Sequence, residues 1–313
     1  MKRLSSLLLV VALWLAFPAM AFAAEAHTAA VEAHAAAAEG HHGPPVAASA
    51  PTLFRIGPLE VTNSIVYTWI VGAVIFVGVR LGTRNLKEIP SGLQNLIEAA
   101  VEGLEDMTKG LLEPKVARWV FPLAATFFIF ILISNLMGLL PGVGSIGYGV
   151  HDEQSSLPFA VVHADTPLLR PPTADANMTV AMSAIFFIMS TFWAVRYNGV
   201  GGLIKHVFGV KGGMTGWIVL PLSLIFIFVG FIEVISICIR PVALAMRLYG
   251  NIYGGESVIT IMLGMAPLGL AAIPFYFLEF IVAVVQSLVF TLLSIAFIGT
   301  LCSHSDEEPH EAH

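Results

Sequence analysis

From Trp217 to Met265 the chain reads WIVLPLSLIFIFVGFIEVISICIRPVALAMRLYGNIYGGESVITIMLGM, an apolar run broken only by isolated charges. As one helix it would be about 73 Å long at 1.5 Å per residue. A hydrocarbon core is only about 30 Å thick, so no upright helix of that length fits it. Either the run breaks into two crossings near Arg240-Pro241, or it forms one long element that lies tilted or kinked. Other apolar runs approach the ~20 residues of a single crossing, and none alternates at the period of two that a strand requires. Composition agrees: 57% of the 313 residues are hydrophobic and 12% charged, against roughly 25% charged in a soluble domain. The expected fold class is an all-α polytopic membrane protein.

Basic residues apportion the loops between the two sides. The first span covers Ile65 to Leu81, and the loop after it carries Arg80, Arg84, Lys87, Lys109, Lys115 and Arg118. Within that loop LQNLIEAAVEGLEDMTKGLL has the pattern of an amphipathic interfacial helix. A second span runs from Val120 to Leu140. The loop from Gly142 to Asp175 has Arg170 as its one basic residue against Asp152, Glu153, Asp165 and Asp175, so it is expected outside and the first loop inside. Val180 to Ala194 forms the core of a third span and returns the chain to a cytoplasmic loop with Arg196, Lys205 and Lys211. A break at residues 240 to 247 would leave two arginines outside, which favours one long fourth element over two crossings. Pro267 and Pro274 mark the turn before a last span, Phe275 to Leu301. Five crossings result, the last two forming a long tilted helical hairpin.

The N-terminus, MKRLSSLLLVVALWLAFPAMAFAAEA, has a basic start, an apolar stretch and an Ala21-Phe22-Ala23 cleavage pattern, which reads as a signal peptide over residues 1–23, with an uncleaved anchor as the alternative. Residues 24–60 form an Ala/His-rich, disordered, extracytoplasmic lead-in. His27, His34, His41 and His42 there are read as solvated low complexity, with a weak metal site the other option. The membrane domain spans 61–303 and an acidic cytoplasmic tail 304–313. Cys238 and Cys302 show neither disulfide nor zinc spacing. All ten histidines fall outside the spans, which excludes bis-histidine haem ligation. A formal charge of −6 argues against nucleic acid. Phosphate-loop, serine-elbow and HExxH patterns are absent, so the chain is no stand-alone enzyme, and no cofactor is expected.

Charges within the apolar runs carry the functional signal. Glu233, Arg240, Arg247, Glu256 and Glu279, with the amide Gln286, all lie in the final two elements. A charge at mid-bilayer costs roughly 3 kcal/mol on insertion scales, so such groups face a protein interior or a watered path. Together they point to an ion route. At about 100° per residue Arg240, Ala243, Arg247, Asn251 and Gly254 share one helix face, an arginine face of small side chains that another helix can approach closely. Glu256 lies half a revolution round from Arg247, beside Tyr249, Tyr253 and Thr260, so the two are not a simple pair. Glu279 and Gln286 share a face of the last helix. For Arg240 and Glu233 structural roles stand equally open: snorkelling or bonding to carbonyls freed by Pro241, and pairing within the bundle.

RLYGNIYGGE, Gln286 within EFIVAVVQSLVFTLLSIAF and the earlier SNLMGLLPG together resemble subunit a of the F-type ATP synthase membrane sector, over roughly residues 60 to 303. The resemblance implies a bacterial inner-membrane stator that passes protons through two half-channels to a rotating c-subunit ring, alongside b-type peripheral stalk subunits and the rest of the complex. It implies that Arg247 faces a carboxylate on each passing c subunit, that Gln286 packs near it and that Asn251 follows. Glu256 matches an acidic half-channel position, Glu279 a position held by histidine or glutamate in relatives, and Asn135 the end of the second span. Tyr249 and Ala243 depart from the commoner phenylalanine and serine. A self-contained secondary transporter would show inverted repeats, which the chain lacks; a passive anchor leaves five intramembrane charges unexplained.

Overall fold

The computed structural model describes residues 52–56, 59–140, 143, 147–148, 166–167, 169–208, 219–265 and 267–302. The segment expected to be a signal peptide, most of the expected lead-in with its histidines, and the acidic tail lie outside the described residues. A short antiparallel hairpin, β1 (Thr52–Ile56) and β2 (Leu59–Thr62), leads into α1 (Asn63–Gly82). The Thr62 hydroxyl caps α1 by accepting from the Ile65 N–H at 3.4 Å. Then follow α2 (Leu93–Leu111) and α3 (Pro114–Gly138), the latter opened by a proline at a position whose N–H needs no helical partner. A two-residue pairing, β3 (Gly147–Tyr148) with β4 (Thr166–Pro167), and a 3-10 turn at Pro172–Ala174 precede α4 (Ala176–Phe208). The chain continues through α5 (Val219–Met265), a second 3-10 turn at Pro267–Ala272 and α6 (Ile273–Cys302).

Five of these helices are long and apolar enough to cross a membrane, and α2 is the amphipathic one between the first two crossings. Gln94 fixes the approach to α2: its amide donates to the Lys87 carbonyl at 3.0 Å and to Glu98 at 2.7 Å, and accepts from the Lys87 N–H at 3.1 Å. The third crossing, Ala176–Gly199, is longer than its apolar core implied and ends at a kink at Gly199, whose φ of 70° only glycine adopts cheaply; α4 continues beyond that kink.

The long apolar run resolves as one element. Helix α5 passes through Pro241 without ending, 47 residues in all and about 70 Å long, so a ~30 Å core holds it only inclined or overhanging. Proline removes one N–H from the helical ladder. At that point Pro241 is buried against α4, and the Ser183 hydroxyl of α4 donates to its carbonyl. The core lies where α3, α4, α5 and α6 converge: Ile131, Ala194, Leu248, Phe290, Ile295 and Ile298 are fully buried. Phe127 and Phe290 meet edge to face at 5.9 Å. Cys238 and Cys302 are free thiols.

Candidate functional site

Helix α5 presents two different sides. Leu244, Ala245, Leu248, Tyr249 and Ile252 are buried in the bundle, whereas Arg240, Ala243, Arg247, Gly250 and Asn251 are exposed. Helical phase therefore separated the sides correctly, although Gly254 on the arginine side is half-buried. Among the described residues Arg247 makes no hydrogen bond or ion pair. A side chain with five donors and a permanent charge thus stands on a strip of small residues, directed away from its own bundle. The second arginine differs: Arg240 donates through Nη1 to the Thr300 hydroxyl at 3.3 Å and lies over the Phe297 ring at 5.2 Å. These contacts tie α5 to α6. Glu233 is half-buried on the N-terminal half of α5.

From α6 a polar edge meets α5. Gln286 is 4% exposed and accepts a 2.6 Å hydrogen bond from Asn251 Nδ2, which links it to the helix face that carries Arg247. Glu279, two turns earlier on the same side of α6, is 8% exposed, and its carboxylate occupies the notch left by the missing side chain of Gly255. Between them Asn135 of α3 donates to the Ala283 carbonyl at 3.4 Å. Glu279 Oε1, Gln286 Nε2 and Asn135 Oδ1 are buried polar atoms without a hydrogen-bonding partner among the described residues. Such atoms also occur elsewhere in the bundle, at Ser134, Thr173 and Ser294; those of Glu279, Gln286 and Asn135 lie along the edge where α6 meets α3 and α5.

Glu256 belongs to another cluster. It is about 13.5 Å along the axis from Arg247, and its Oε2 lies 3.7 Å from Nε of Arg170, in the segment just before α4. The Arg170 guanidinium also sits over the Tyr253 ring at 5.9 Å, and Tyr253 stacks on Tyr249 at 5.3 Å. Residues 170–175 are buried throughout, so this connecting segment enters the bundle instead of skirting it. Asp175 starts α4 by accepting from the Asn177 N–H at 3.0 Å. Burial lifts its carboxyl above the ordinary value of 3.8, opposed by that N–H and by the Arg170 charge.

The structure therefore brings Asn251, Gln286 and Asn135 into one seam, sets Glu279 beside the turn of α5 that carries Glu256, and leaves Arg247 on the outer face. Sequence reasoning missed Arg170 and Gly255. Arg170 was visible as the lone basic residue of an otherwise acidic loop, followed by two prolines. Gly255 carried no signal of its own, since its importance lies in a neighbour on another helix.

Residues 65–299 match the family described as ATP synthase A chain. The chain is 35% identical over 249 residues to the ATP synthase subunit a of Trichlorobacter lovleyi, covering 79% of this chain and 89% of that one. To the ATP synthase subunit a 3 of Pelobacter propionicus it is 34% identical, with the same coverage. The ATP synthase subunit a of Moorella thermoacetica shares 32% identity over 79% of this chain and 94% of its own length.

Proposed function

The chain belongs to the ATP synthase A chain family, and on that premise we propose that it is the fixed, proton-translocating subunit of the synthase's membrane sector, working against a rotating ring of c subunits and catalysing nothing alone. The observation that carries this reading is the exposed Arg247 on a strip of Ala243, Gly250 and Asn251, a face suited to close approach by a partner helix. A carboxyl carried by such a partner must be neutral while it faces lipid, because desolvation disfavours its charge. Opposite a guanidinium that cannot lose its proton, the ionised form is favoured and the proton leaves. Arg247 in this reading also interrupts any continuous proton wire between two half-channels that open on opposite sides. Each proton must then ride the ring, and the membrane potential supplies ~2.3 kcal/mol per charge per 100 mV.

The remaining groups have definite parts. Glu256 lies toward the end of α5 that shares its side of the bundle with the segment before α4, the external side by loop charge. It serves the external half-channel, while Glu279, Gln286 and Asn135 form the watered seam beside it and Asn251 holds Gln286 next to Arg247. The orientation has the N-terminus outside and the C-terminus inside a bacterial inner membrane, with b-type stalk subunits completing the stator. Cysteines at Ala243 or Gly250, paired with cysteines along a c-type helix in the assembled complex, should form disulfides on oxidation. Their failure to do so, with cross-links appearing at exposed positions of α1 instead, would reject the reading.

A further inference from the structure

Arg170 does more than end a loop. Its side chain is 1% exposed, and a buried cation is tolerated only when opposed by charge. Two prolines follow it, each fixing φ near −65°. The ring of Pro171 is pressed so closely on α3 that a Cβ at Gly138 would lie 2.6 Å from its Cγ. The segment is thus held rigidly, and it delivers one guanidinium to the Glu256 carboxylate at 3.7 Å. Other charged or titratable groups around this point are Asp175, Tyr249 and Tyr253, with Glu279 against the next turn of α5 at Gly255. The Glu256 side chain keeps 19% of its surface exposed, while its Oε2, the oxygen toward Arg170, is buried.

We propose that Arg170 is the positioning residue of Glu256: the segment before α4 inserts a fixed cation that holds this carboxylate at the mouth of the external proton path. The proposal rests on the reading of Glu256 as a group of that path. Arg170 passes no proton itself, because a guanidinium does not deprotonate. It supplies a stationary counter-charge that holds the ionised carboxylate in one place between protonations. A carboxylate on an unbraced helix surface would turn among its rotamers and lose its alignment with the next acceptor.

The test uses the whole complex in inverted membrane vesicles, with ATP-driven proton pumping and the amount of assembled complex measured together. Arg170→Met keeps the length and packing of the stem and removes the charge; pumping per assembled complex should fall about tenfold, mid-range for two groups in one network. Arg170→Lys should restore most of it, and Arg170→Met should cause no further loss when Glu256→Gln is already present. Equal defects in the Met and Lys variants, or a full additional loss on top of Glu256→Gln, overturn the proposal. A Glu256→Gln variant that pumps as wild type overturns the underlying reading of Glu256 instead. If Arg170→Met does not assemble, Gly138→Ala decides, since it displaces Pro171 with every charge retained. Reduced pumping that vanishes as an effect in the Glu256→Gln background supports the proposal, and unchanged pumping or the same loss in both backgrounds refutes it.

Discussion

Gly255→Ala tests the α5–α6 seam at its tightest point. A methyl group at this position would overlap the Glu279 carboxylate. That carboxylate has little room to retreat, being 8% exposed and backed by α6 itself. Either Glu279 leaves its rotamer or the two helices separate. Overpacking of this kind costs about 1–3 kcal/mol, which corresponds to roughly 5–150-fold in the population of the native arrangement. The assay is acidification of inverted vesicles followed by quenching of a fluorescent amine, normalised to assembled complex. Pumping by Gly255→Ala should fall by at least fivefold, and more than assembly does. Combining it with Glu279→Ala removes the overlap, so assembly should return to wild type while pumping stays at the level of Glu279→Ala alone. The geometric argument fails if Gly255→Ala pumps normally, or if the double variant assembles as poorly as the single one.

Arg247→Ala should abolish ATP-driven pumping and open a passive proton leak; coupled pumping at the wild-type rate would reject the assignment. Glu256→Gln should slow proton flux without blocking assembly, and identical flux at every pH tested would remove that residue from the path. Asp175→Asn retains an oxygen that can cap α4 but abolishes the carboxyl whose proton affinity is raised by burial. With aspartate the native state binds the proton more tightly than the unfolded chain, so stability falls as pH rises from the ordinary 3.8 through the raised value. Thermal unfolding of the detergent-solubilised complex should lose that slope in the asparagine variant, and an unchanged slope would contradict the burial argument.

The crossings were legible because hydrocarbon imposes a length and a composition that a chain cannot disguise. The faces of α5 followed from helical phase, which placed Arg247 with Ala243 and Asn251 and turned Glu256 away from them. The choice between one and two elements at residues 217–265 rested only on loop charge. The packing at that point, Pro241 buried against α4 with the Ser183 hydroxyl on its carbonyl, joins residues 58 positions apart that share no pattern. The same limit hid the Arg170–Glu256 pair and the Asn135 bond to Ala283, which depend on how separate helices dock. Periodicity describes one helix at a time, whereas an ion pair between elements depends on packing.

The outer strip of α5 has one more consequence. Helices ordinarily interlock because rows of side chains on one fit between the rows of the other. Gly250 and Gly254 contribute no such row, and a methyl group on either would meet nothing within 4 Å among the described residues. On the proposed reading, a ring helix moving past would meet no steric row at these two glycines, and the charge of Arg247 would dominate where it stops. If the proposed ring moves against this strip, bulk added at Gly250 would introduce friction without disturbing the described residues of the subunit that bears it, and slowed turnover in that variant would report on that contact.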